Sequence, residues 1–203
     1  MISNIVTEFF YKFYTLIKLN FMFVLVMLMG GIVAGIGPGI LVISDMFQEH
    51  RWNFDAMKWS ELVPSFKDNF KRGNALFYNW LIISLLFIYS IYIAVQIKTP
   101  FFFILSILLV FFLALISLTF LYAVTINSMF AVRYFNLMKL SFLSIFGNAK
   151  GTLLVIVGFV VLWGIIKIAP ASILFIVVSY IVLLINLVSR KWLLLLDESI
   201  VVK

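Results

Sequence analysis

The chain has 203 residues, of which 65% are hydrophobic and 11% charged, with a formal net charge of +7. Soluble domains run at roughly 45–50% apolar and about 25% charged, and a water-soluble fold of this size cannot hide so much apolar surface. The absence of cysteine excludes a disulfide framework, thiolate catalysis and cysteine-ligated metal, and a single histidine, His50, is too few for a histidine-built transition-metal site.

The composition therefore predicts an all-α, polytopic transmembrane helix bundle of about five spans, a single membrane domain over residues 1–203. Residues 2–18 have a helical period. Ile2, Ile5, Val6, Phe9, Phe10, Phe13, Leu16 and Ile17 share one face, with Asn4, Thr7, Glu8, Tyr11, Lys12, Thr15 and Lys18 opposite. That pattern suits an N-terminal interfacial amphipathic helix, the alternative being a first span that starts early. The first span is expected over 19–40. A cleaved leader fits poorly, because the stretch before the apolar run is long and amphipathic rather than short and basic.

Residues 41–74 form the main polar segment and hold Asp45, Glu49, Asp55, Glu61 and Asp68. Trp59, Leu62, Val63, Phe66 and Phe70 follow helical spacing, with Pro64 suited to a first turn, so a short amphipathic helix is expected before span two. Spans two and three are expected at 75–97 and 101–126. They are joined by Lys98-Thr99-Pro100, a connection so short that the two must be antiparallel neighbours. The segment 127–150 carries Arg133, Lys139 and Lys150, and its apolar centre, 137–146, suits packing on the bundle or the bilayer surface. Spans four and five are expected at 151–166 and 172–188, split near Lys167 and Pro170 and stopped by Arg190-Lys191. Each hairpin follows an amphipathic stretch with asparagine and turns at lysine and proline, a weak echo of duplication.

With five spans, the N-terminus and the two tight turns carry Lys12, Lys18, Lys98 and Lys167, and the other side carries the remaining bases. The positive-inside rule then puts 41–74, 127–150 and the C-terminus in the cytoplasm and the N-terminus outside. The basic balance reads as lipid headgroup contact rather than nucleic acid.

The chemistry of an enzyme is missing. All eight acids fall outside the expected spans, so no carboxylate sits at membrane depth for a proton path. Ser84, Ser90, Ser106, Ser117 and Ser179 have no base to activate them. No glycine loop ends in the Gly-Lys-Ser/Thr that cradles phosphate, and no cofactor is indicated. The densest small-residue run ends the first span, where Gly35, Gly37, Pro38 and Gly39 suggest a helix break. It is readable as a tightly packed kink or as a broken helix lining a polar site.

Several short motifs occur in order: Leu19-Asn20, Ile36-Gly37-Pro38, Phe66-Lys67-Asp68-Asn69-Phe70-Lys71, Arg133-Tyr134-Phe135-Asn136 and Asn148-Ala149. Together they resemble the YesL-like family of small bacterial membrane proteins, a domain of unknown function. The resemblance implies a Gram-positive setting in which such genes neighbour sugar ABC importers, glycan-degrading enzymes or sensor kinases. The expectation is a non-enzymatic accessory or regulatory component of carbohydrate ABC import. It would meet importer subunits or a sensor kinase on its cytoplasmic face through Phe66, Asn69, Phe70, Lys71, Arg133, Phe135, Asn136 and Asn148. The alternative is an independent small-solute facilitator or channel.

Overall fold

The computed structural model describes the backbone of residues 2–201 and the side chains of 6–173 and 175–196. The facing of Ile2, Asn4 and Ile5 lies outside the described side chains. Helix α1 spans Ile2–Met29, α2 Ile36–His50, α3 Leu62–Gln96, α4 Pro100–Met129, α5 Tyr134–Gly147, α6 Ala149–Ile168, α7 Ser172–Phe175 and α8 Val177–Val201. Stretches of α1, α3, α4, α6 and α8 are long and apolar enough to cross a membrane: Val6–Met29, the Trp59–Gln96 run, Pro100–Met129, Ala149–Ile168 and Val177–Leu196. The protein is a helical membrane bundle.

The first span departs from expectation. α1 runs unbroken through residues 18 and 19, so 2–18 is not a separate helix, and it stops at Met29 rather than Ile40. Gly30 and Gly31 then reverse the chain, with Gly31 at φ 66° and Ile32 at φ 69°. Only glycine takes that region without strain, and Ile32, branched at Cβ, bears a cost there. A single 3-10 turn, Val33–Gly35, leads into α2. The hydropathy of 19–47 is nearly continuous, so the reversal is hidden in it.

α2 runs back down the bundle against α1 and α3. A Cβ at Gly35 would strike the Met27 backbone, and one at Gly39 would meet the Phe23 ring. On the other side, a Cβ at Gly37 would strike Gly73, and one at Gly73 would strike Pro38. Small residues at these crossings let the backbones touch. Further along, Asn69 Nδ2 donates to Asp45 Oδ2 at 2.7 Å, and His50 Nε2 lies 3.0 Å from Glu61 Oε2. α2 is therefore antiparallel to α3, and its start stands opposite Gly73 and Phe77. About 19 further residues of α3, roughly 28 Å at 1.5 Å per residue, rise beyond that point. The α1–α2 hairpin thus ends well short of the α3–α4 turn.

The same pairing fixes the N-terminal half of α1. Tyr11 Oη accepts from the Phe54 backbone N–H at 2.9 Å, and Lys18 Nζ donates to the Phe54 carbonyl at 2.7 Å. Lys12 lies over the Trp52 ring at 5.6 Å. Residues 11–18 and the 51–58 loop thus occupy one end of the bundle, so the expected opposite placement of the N-terminus and residues 41–74 is corrected. The cause is α2, an apolar return that the five-span count omits. Among the described bases, only Lys98 and Lys167 sit at the far end.

The core has two parts. One joins Leu19, Met22, Val26, Val42, Ile43, Phe47 and Leu183 from α1, α2 and α8. The other joins Leu121, Tyr122, Ile126, Leu137, Val155 and Ile185 from α4, α5, α6 and α8. The distal halves of α3 and α4 pack chiefly on each other, with Trp80 stacked on Phe120 at 5.0 Å and Phe87 against Phe112 at 6.5 Å. Ile82, Leu86, Tyr89, Phe103 and Ile107 are exposed along them. The α6–α8 hairpin is built differently, with α7 inserted at its turn and a separate α5 before it.

Candidate functional site

The most polar point of the interior lies on α2. Ser44 and Asn186 are both fully buried. Asn186 Nδ2 donates to Ser44 Oγ at 3.1 Å and to the Val182 carbonyl at 2.7 Å. Gln48 donates its amide N–H to Asn186 Oδ1. The Ser128 hydroxyl donates to Ser44 Oγ at 2.8 Å. Next along α2, Asp45 accepts from Asn69, whose amide also donates to the Ser65 carbonyl at 3.1 Å. One connected set of polar side chains therefore ties α2 to α3, α4 and α8. Each buried group finds its partner in another, as it must where water is scarce.

Asp45 is the charged member. Burial pushes its carboxyl above the ordinary carboxylate value, hydrogen bonds from Ser128 and Asn69 pull the other way, and the nearby Glu49 charge adds to the upward push. A cleft of about 380 Å³ opens beside it, lined by Asp45, Glu49, Glu61, Asp68, Ser65 and Asn69 among others. No group of three or more metal-ligating side chains gathers among the described residues.

A second polar knot closes the α5–α6 junction. Tyr122 Oη and Thr152 Oγ1 are 3.0 Å apart, Asn148 Nδ2 donates to Tyr122 Oη at 3.2 Å, and the Thr152 hydroxyl donates to the Ile145 carbonyl at 2.9 Å.

The residues expected to face a partner divide between surface and interior. Phe70, Lys71, Arg133, Phe135 and Asn136 are exposed, Phe135 at 79%. Arg72 joins their two stretches by donating from Nη2 to the Val132 carbonyl at 2.6 Å. Asn69 and Asn148 point inward, to Asp45 and to Tyr122. Phe66 is half-buried, edge-on to Phe70 at 5.3 Å. Gly35, Gly37, Pro38 and Gly39 do not break a span. They form the end of the 3-10 turn and the first turn of α2, and the glycines serve close helix contact rather than a freed backbone.

Sequence reasoning passed over Ser44, Gln48 and Ser128, and read Asp45 only as part of a polar segment. One signal was present: Ser44-Asp45 interrupt the run Ile36–Phe47 and Gln48 follows at helical spacing, which marks a polar stripe on the helix. No curated protein and no solved structure matches the chain. Residues 16–91, which carry most of α1, all of α2 and α3 to Ile91, match the model of a family described as "Protein of unknown function, DUF624".

Proposed function

We propose that this is a non-enzymatic membrane protein that works by binding a partner at the polar end of its bundle, as an accessory or regulatory component of carbohydrate ABC import. In this reading the membrane is a bacterial plasma membrane, and the end holding the 51–58 loop, α5 and the C-terminal part of α8 is cytoplasmic. The geometric support is the surface that the Arg72–Val132 hydrogen bond assembles, where Lys71, Arg133, Phe135 and Asn136 from two separated motifs come side by side. Exposed aromatic and arginine side chains are the usual anchors of protein contacts. The assignment to sugar import rests on the motif resemblance to the YesL-like family, and the match over 16–91 to a family of unknown function is compatible with it. The interior supports binding over conduction: the polar side chains around Ser44 and Asn186 are paired with one another, and the cleft between Trp80, Phe120, Phe159 and Ile181 is apolar.

The test is affinity purification of the tagged chain from native membranes in mild detergent. Importer subunits or a sensor kinase are expected to co-purify with wild type. The double substitution Arg133→Glu and Phe135→Ala is expected to lose at least about tenfold of that recovery, the loss of one or two interface anchors. Recovery of no transporter or kinase component by wild type rejects the reading.

A further inference from the structure

We propose that α5 is an interfacial helix that holds anionic phospholipid headgroups, its stretch from Lys139 to Phe146 lying at the bilayer surface while its first turn, Arg133 to Asn136, is left to the partner surface. The inference is independent of the sugar-import reading.

Three features carry it. The first is height. At its start, the Tyr134 hydroxyl accepts from Asn79 Nδ2 at 2.9 Å and reaches the Ala75 carbonyl at 3.5 Å. These contacts fall where α3 passes from Lys71-Arg72 into its apolar run. At its end, Asn148 Nδ2 donates to the Val188 carbonyl at 3.4 Å, just before Arg190-Lys191 on α8 and beside Lys150 at the start of α6. α5 is therefore pinned at both ends to the level where three other helices turn from charged to apolar.

The second is its face. Leu137, Ser141, Ser144 and Ile145 pack inward. Phe142, Leu143 and Phe146 are exposed on the opposite side, and Lys139 stands among them, also exposed. At 100° per residue, positions 139, 142 and 146 fall within about 60° of one another. A lysine centred in a phenylalanine stripe suits neither bulk water nor the hydrocarbon centre. It suits the boundary, where the rings enter the acyl region and the lysine stem carries its ammonium up to the phosphates.

The third is charge. The chain has no acidic residue between Asp68 and Asp197. Lys139 and Lys150 interrupt and follow α5, are both exposed, and take part in no ion pair identified among the described residues. A purely basic band at headgroup height is complementary to phosphatidylglycerol.

The cysteine-free chain permits a direct test on the full-length protein in nanodiscs of phosphatidylcholine with phosphatidylglycerol. A spin label on Leu143→Cys is expected about 5–10 Å below the phosphate plane, shielded from an aqueous nickel chelate and open to oxygen. Native mass spectrometry is expected to show retained phosphatidylglycerol falling about fivefold per base removed in Lys139→Gln and Lys150→Gln, taking roughly 1 kcal/mol per base. Lys98→Gln, at the far end of the bundle, is expected to leave retention unchanged. A label freely reached by the chelate overturns the placement. Retention that is unchanged in the α5 variants, or lost equally in Lys98→Gln, overturns the headgroup assignment.

Discussion

Asp45 shows how one side chain reports its surroundings. It sits where the apolar first part of α2 gives way to polar side chains, held by Asn69 and Ser128, with burial raising its pKa above the ordinary value. A carboxyl raised in the folded state contributes most to stability below its unfolded pKa, and that contribution is lost as pH rises through the folded value. Asp45→Asn, which still offers Asn69 a carbonyl oxygen, is expected to raise the melting temperature in detergent at about pH 7.5. The gap should narrow as pH falls toward about 4, where the wild-type carboxyl is protonated. Asp45→Ala instead strands the Asn69 amide and should cost about 1–3 kcal/mol. A wild type that gains stability from about pH 5 to 8 relative to Asp45→Asn would show that the carboxylate is held as a favoured anion. Among the described residues, no lysine or arginine forms an ion pair with Asp45 to favour that outcome.

Between helices, glycine decides how closely α2 is held. Gly37 and Gly73 face each other across α2 and α3, and each hydrogen stands where a methyl group would strike backbone. Backbone cannot swing aside as a flexible side chain can, so Gly73→Ala is expected to destabilise by about 1–3 kcal/mol and to speed proteolysis within 51–58. Gly164→Ala meets open space on α6 and should be neutral or gain about 0.5–1 kcal/mol in melts of the same preparation. Equal loss in both variants would mean that helix propensity, not contact, sets the effect. These glycines also mark where the sequence was legible and where it was not. The five long helices stand out because each holds a long apolar run, and Lys98-Thr99-Pro100 is too short to join anything but antiparallel neighbours. Gly30-Gly31 and Gly35–Gly39 were visible as a cluster, but a cluster of small residues reads alike as a kinked span or a full reversal. The choice between them lies in contacts with Met27, Phe23 and Gly73, which are distant in sequence. Asn69 and Asn148 posed the same difficulty: a polar residue near a span end reads as surface until the neighbour that satisfies it is known.

For the whole molecule, α2 changes the topology without adding a long span. Because it returns the chain to the end where α1 began, residues 11–18 and the 51–58 loop share that end, with Arg190 of α8 near Arg51, while α5 begins farther along α3, beside Ala75 and Asn79. Every described lysine and arginine except Lys98 and Lys167 gathers there or in the adjoining turns of the helices. This sharpens the charge asymmetry that sets orientation, since Lys12 and Lys18 move from the poorer side to the richer one. It also predicts a labelling pattern that a simple five-span chain cannot give. Single cysteines at Asp55 and Thr99, with an epitope tag before residue 1, report the two ends in intact cells. An impermeant maleimide is expected to reach Thr99→Cys only, while Asp55→Cys and the tag become accessible together after permeabilisation. A bifunctional maleimide should also join Tyr11→Cys to Phe54→Cys within one chain, because their rings lie 6.4 Å apart in the native protein. Were the tag exposed outside while Asp55→Cys stayed protected, α1 would have to cross without α2 returning. The Tyr11, Lys12 and Lys18 contacts with the 51–58 loop could not then form, and the polar network centred on Ser44 would lose the α2 position that brings it against Asn186.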